Sequence, residues 1–168
     1  MMVTIREWQE SDAKALSLLL NDKRVLDNLR DGLPFPYTEA DALYYINSCL
    51  SADKNEQFCF AIVNSGKVVG SIGVFRQGNI HFRTAELGYY IGVEHWGKGI
   101  MTEAVRLVCK HVFDNTDIVR IYAEPFAENI GSCRVLEKNG FLLEGIMRKN
   151  ACKNGVLRDM KLYALVKE

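Results

Sequence analysis

From Gln57 onward the chain changes character, and that change restricts its fold more than any other feature. FCFAIV (58–63) and VVGSIGVF (68–75) are short runs of strand-forming residues separated by Asn64, Ser65 and Gly66, which together signal a hairpin. AELGYYIGV (85–93) reads as a third strand. Beyond it the pattern alternates. Residues 97–114 read as a helix with Met101, Ala104, Val105, Val108 and Val112 on one stripe. A strand over 119–123, a helix over 129–139 and a closing pair of strands over 141–147 and 159–166 follow. Hairpins make antiparallel neighbours, whereas strand–helix–strand returns make parallel ones. One central, mixed, twisted sheet of about six to seven strands flanked by helices, an α/β fold, satisfies both.

The first fifty residues supply helices and loops to that sheet. Residues 3–7 alternate as a strand, Ser11 and Asp12 are good caps for a helix over 13–20, and 21–29 continues as a second helical piece. DGLPFPY (31–37) is a loop, because Pro34 and Pro36 lack donors and fix their own backbone. Thr38 then precedes EADALYYINSCL, with Ala42, Tyr45, Ile46 and Cys49 on one helical face. No repeat, linker or low-complexity tract divides the chain, so its 168 residues are expected to form a single domain, 1–168.

Composition narrows the function classes. Lys plus Arg and Asp plus Glu both total 21, so no overall field draws the chain to nucleic acid or to acidic membranes. The start, MMVTIREWQESD, lacks the apolar stretch of a secretory signal, and no run approaches the roughly 20 apolar residues that span a bilayer. The expected address is the cytoplasm. Cys49, Cys59, Cys109, Cys133 and Cys152 are odd in number and contain no CxxC pair, so they read as reduced, mostly buried thiols. His81, His95 and His111 show no metal-ligand spacing, and no metal is expected.

The segment HWGKGIMTEAV (95–105) places Gly97 and Gly99 around Lys98 at the start of a helix. A helix start presents unpaired N–H groups and partial positive charge, and glycines let a phosphate approach the backbone. A tight strand-to-helix turn would use the same glycines. A Walker loop needs a longer glycine spacing and Ser or Thr after its Lys, and a dinucleotide fingerprint needs a third glycine; neither is present.

EHWGKG (94–99) resembles the pyrophosphate loop of the GNAT acetyltransferase superfamily, matching at both glycines and departing at Glu94, where Gln or Arg is usual. WGKG followed by TEA, and NIGSCRVLEKNGF (129–141) downstream, are similar to the ribosomal-protein-alanine N-acetyltransferase branch. The likeness extends to AELGYYIG (85–92), EGIMRK (144–149) and GVLRDMKLYAL (155–165). It implies a GNAT-like fold, acetyl-CoA as co-substrate, and direct transfer of acetyl to a primary amine. The amine is the N-terminus of a protein, such as a ribosomal protein, or alternatively a small amine, amino acid or antibiotic. A catalytically silent acyl-CoA-binding sensor is the reading from another class.

The resemblance also implies roles. Backbone N–H groups of Gly97, Lys98, Gly99, Ile100 and Met101 would hold the pyrophosphate, while Ile91, Gly92 and Val93 would pair with the pantetheine amides like an added strand, and an N–H near Ile91 would polarise the thioester. Asn129 matches a pantetheine-contacting Asn, although a helix N-cap uses the same residue. Glu86 is the candidate base, acting on the amine directly or through water; a paired strand carboxylate is its plainer reading. The superfamily's usual tyrosine acid falls on Leu136, which cannot donate, so Ser132 is the candidate acid, with a helix-start Ser as the rival. The place of a second acidic residue in some ribosomal-protein enzymes falls on Ala151. Phe35, Tyr37, Tyr44 and Tyr45 are candidates to line the acceptor groove, and no acidic cluster is evident in the sequence for a polyamine. Relatives in the family are often dimers, which makes a homodimer one expected state.

Overall fold

The computed structural model describes Met1–Glu168 and contains one seven-stranded mixed sheet, in the order β1-β2-β3-β4-β5-β7-β6. The strands are β1 (Val3–Arg6), β2 (Gln57–Asn64), β3 (Lys67–Arg76), β4 (Thr84–Ile91), β5 (Arg120–Ala123), β6 (Leu142–Lys153) and β7 (Val156–Val166). The helices are α1 (Ala13–Leu20), α2 (Lys23–Leu26), α3 (Glu39–Ser51), α4 (Ile100–Asn115) and α5 (Ile130–Lys138). Every neighbouring pair is antiparallel except β4 and β5.

Each face of the sheet has its own core. On one, the α4 stripe of Met101, Ala104, Val105, Val108 and Val112 is buried with Ile72, Val74, Ala85, Leu87 and Ile121, and Cys133 and Leu136 of α5 join it. On the other, Leu16 and Leu20 of α1 and Ala42 and Ile46 of α3 pack with Trp8, Val25 and Tyr37. Burying one such aliphatic side chain is worth about 1.5–3 kcal/mol, so the two cores hold the helices against the sheet from both sides.

Several expectations need correction. The helical piece after Asn21 is only the single turn Lys23–Leu26, capped by the Asp22 side chain on the Arg24 N–H. The helix read from Gly97 begins at Ile100, because Gly97 (φ 71°) and Gly99 (φ 78°) both take left-handed backbone. The strand read through Val93 stops at Ile91, and Val93 opens a short 3-10 turn, Val93–His95. The final two strands are far longer than their apolar centres and are joined by Asn154 (φ 53°) and Gly155 (φ 75°), a two-residue turn that twists with the hairpin. The loop over 31–37 is as expected, but Tyr37 is buried in the second core, where its N–H donates to the Asn21 carboxamide at 2.8 Å. Of the thiols, Cys109 and Cys133 are buried, Cys49 and Cys59 half-buried and Cys152 exposed.

Candidate active site

The site begins where the sheet splits. β4 and β5 run side by side only from Thr84–Arg120 to Glu86–Tyr122; β4 then continues for five residues with no partner on that side. Two bonds at its ends, Gln77 N–H to the Thr84 carbonyl and Gly92 N–H to the Val69 carbonyl, both 2.9 Å, fix which backbone groups face β3. Even-numbered residues of β4 point at β3 and odd-numbered ones away from it. Past the last pair with β5, the N–H groups of Tyr89 and Ile91 therefore open into the gap. An extended ligand can add there as a strand would.

The gap widens into a cleft of about 1040 Å³. Its lining includes Glu86, Ile91, Gly97, Lys98, Gly99, Ile100, Met101, Asn129 and Ser132, so the structure gathers nine of the eleven residues singled out in the sequence. Gly92 and Val93 stand outside it. The Gly92 N–H is already bonded to β3, and a Cβ there would meet the end of the Leu19 side chain, Cδ2, at 2.7 Å.

Gly97 and Gly99 are needed for their backbone angles. A Cβ on either would meet nothing within 4 Å, yet the left-handed region costs an L-residue about 1–2 kcal/mol. That turn aims the first N–H groups of α4, which have no acceptor inside the helix, into the cleft. Ile100 and Met101 bury their side chains in the core beneath, leaving only backbone to face a ligand. Trp96 closes the strand end by donating from Nε1 to the Ile91 carbonyl at 3.1 Å. A Gly99→Ala variant is expected to fold and to bind acetyl-CoA about five- to tenfold more weakly, from a penalty of about 1 kcal/mol or more. Equal affinity in a calorimetric titration would show that the angle at Gly99 does not shape the phosphate cradle.

Alternation along β4 sends its side chains to opposite faces. Tyr89 shares the face of Ala85 and Leu87, toward α4 and α5, and its hydroxyl lies 2.7 Å from Ser132 Oγ. Burial pushes the Tyr89 phenol up, so it remains a neutral donor or acceptor. Asn129 caps α5 through its Oδ1 on the Ser132 N–H at 3.2 Å, which leaves its amide nitrogen free toward the cleft. Leu136 is fully buried in the core.

Glu86 faces the other way, toward α1 and α2. Its Oε1 is ion-paired to Arg30, and its Oε2 accepts from the Tyr122 hydroxyl at 3.3 Å. Arg30 also lies 3.8 Å from Glu124 Oε2. Burial and the Glu86 charge push the Glu124 carboxyl up, and burial, with the same charge, pushes the Tyr122 phenol up to about 12. The second carboxylate of this site therefore comes from the end of β5. The cluster of Arg30, Tyr122 and Glu124 around Glu86 was missed in the sequence, as was Tyr89. Pairing AELGYY with RIYAEP by strand parity would have found Tyr122 and Glu124 beside Glu86; nothing local marked Arg30.

A split parallel strand pair, an open strand edge and a glycine turn feeding a helix start define a class of enzyme that holds an acyl-pantetheine thioester and passes its acyl group to a nucleophile. The chain belongs to the acetyltransferase (GNAT) domain family, which matches residues 2–142. Its co-substrate is acetyl-CoA and its chemistry N-acetyl transfer. It is 41% identical over 116 residues to "Probable N-acetyltransferase YjcK" of Bacillus subtilis (strain 168), a match covering 68% of this chain and 64% of that one. It is 29% identical over 107 residues to the ribosomal-protein-serine acetyltransferase of Escherichia coli (strain K12), covering 64% of this chain and 59% of the relative. Among solved structures, RimJ of Mycobacterium smegmatis in complex with CoA-disulfide superposes with a TM-score of 0.87 at 26% identity, over 98% of this chain and 81% of that one. No helix is long and apolar enough to cross a membrane.

Proposed function

We propose that the chain acetylates the N-terminal amine of a protein, such as a ribosomal protein, by direct transfer, with Glu86 as base and Ser132 as acid. The observation that carries this reading is the split between β4 and β5, with Glu86 toward one face of the sheet and the Tyr89–Ser132 hydroxyl pair toward the other. Acetyl-CoA supplies an activated thioester whose departing sulfur needs a proton. The N–H groups of Tyr89 and Ile91 hold the pantetheine arm, those of Gly97 to Met101 hold the pyrophosphate, and Asn129 contributes its free amide nitrogen. Of the expected strand contacts, Ile91 is retained.

Glu86 takes the proton of the incoming amine, directly or through water, and Tyr122 holds the carboxylate in place. Ser132 gives its proton to the leaving sulfur, with Tyr89 behind it as a hydrogen-bonded partner. The Escherichia coli relative carries ribosomal-protein acetylation in its name, which supports a protein acceptor working in the cytoplasm. A second reading, a small cationic amine, is favoured by the carboxylates of Glu86 and Glu124 meeting at the acceptor side.

Thiol release from acetyl-CoA against peptides with different free N-termini, polyamines, amino acids and aminoglycosides tests both. Release with peptides alone supports the protein acceptor, and release with polyamines alone transfers the assignment to the small amine. Bound acetyl-CoA with no acceptor turned over would leave the sensor reading in its place.

A further inference from the structure

We propose that Arg30 is a specificity-determining residue whose guanidinium lies where the acceptor's ammonium would bind between Glu86 and Glu124, so that a cationic acceptor enters by displacing it. The proposal rests on the reading of the Glu86 face as the acceptor side.

Three observations carry it. First, two partly buried carboxylates meet at the cleft mouth, with side chains 22% and 26% exposed, and the group between them is the Arg30 guanidinium. Like charges held together call for a cation, and an alkylammonium offers the same charge and N–H donors in a smaller volume.

Second, the guanidinium is a visitor from solvent. The Arg30 side chain is 68% exposed, and its recorded partners are these two carboxylates alone. Its charge stays largely in water on one side, so an incoming cation can compete with it for the two carboxylates.

Third, the backbone that carries Arg30 is held on both sides. The Asn154 side chain donates to Asp27 at 3.0 Å, and Lys153 Nζ, on a side chain only 10% exposed, lies 2.7 Å from Asp31. The tip of the β6–β7 hairpin thereby fixes where the residue starts from. Displacement of the guanidinium then needs only rotation of the Arg30 side chain.

The test is a calorimetric titration of methylguanidinium chloride, and of alanyl-alanine amide, into the CoA-loaded full chain. Arg30→Ala is expected to bind both about threefold to tenfold more tightly than the unmodified protein, with the gain lost in Arg30→Ala/Glu86→Gln and absent in Arg30→Lys. Equal binding, or a gain that survives Glu86→Gln, overturns the proposal. In parallel turnover assays, Arg30→Ala should lower the acceptor KM by a larger factor than it changes kcat. A fall in kcat with unchanged KM would instead make Arg30 a positioning residue for Glu86 and overturn the proposal too. If no variant turns over any acceptor while the binding gain appears, the transfer reading fails and the placement of Arg30 stands.

Discussion

Glu86→Gln is expected to lower kcat by about 10²- to 10³-fold near neutral pH while acetyl-CoA binds as before. The substitution keeps the size of the side chain and an oxygen for the Tyr122 hydroxyl, but removes the group that can accept the amine's proton. Binding should survive, because the pantetheine and phosphate contacts proposed above come from the β4 edge and the start of α4, on backbone that the change does not touch. The pH profile gives a sharper readout. An α-amine has a pKa of about 7.7–8, so the deprotonated acceptor grows more abundant as pH rises. The variant should therefore regain part of its deficit toward alkaline pH, where it no longer needs a base. Turnover within about threefold of the unmodified enzyme across the profile would remove Glu86 as base. Glu124, the neighbouring carboxylate whose proton affinity is raised by burial and by the Glu86 charge, would then be the group to substitute.

The second large effect concerns the other face of the split. Ser132→Ala and Tyr89→Phe are each expected to lower kcat by about 10- to 100-fold, with little change in the KM for acetyl-CoA. Combined, they should cost scarcely more than the worse single change, because the two hydroxyls share one 2.7 Å hydrogen bond and act as a unit. The Ser132→Ala change leaves the helix cap intact, since the Asn129 side chain bonds the Ser132 backbone N–H and not its hydroxyl. Loss of helix stability therefore does not mimic the effect. Additive losses would mean that Tyr89 supports the cleft independently of Ser132. A change confined to KM would assign Ser132 to binding.

The parts of this molecule that could be read in advance are those written in local chemistry. The β-rich runs of β2 to β4, the buried stripe of α4 and the glycines at 97 and 99 each reflect neighbours close in the chain. The β6–β7 hairpin was read too short for a physical reason: most of its residues are exposed or half-exposed on both faces, so the alternation that marks a strand is weak. Its register also shifts between Leu143 and Gly145 and between Met147 and Ala151. Asn154-Gly155 makes the turn, and this dipeptide, which favours two-residue hairpins, was passed over in the sequence. At the site, Glu86 and Ser132 could be named by resemblance, but their partners could not. Arg30 lies 56 positions from Glu86 and Tyr89 lies 43 from Ser132, and such contacts exist only once the sheet has formed. The nearness of Glu86 and Glu124 was hidden for the same reason, since β4 and β5 bring them to Arg30 from separate segments.

The placement of β7 has a consequence for how the chain is made. β7 lies between β5 and β6, and β5 is flanked by β4 and β7. Until β7 has been synthesised, β5 has an empty flank, and Lys153 of β6, 122 positions beyond its partner Asp31, has no strand to carry it to the loop of Arg30. The N-terminal hairpins can form as they emerge, since their partners are near neighbours in the chain. The surroundings of Arg30 therefore assemble last, after the glycine turn at 97–99 and the start of α4 have already been made.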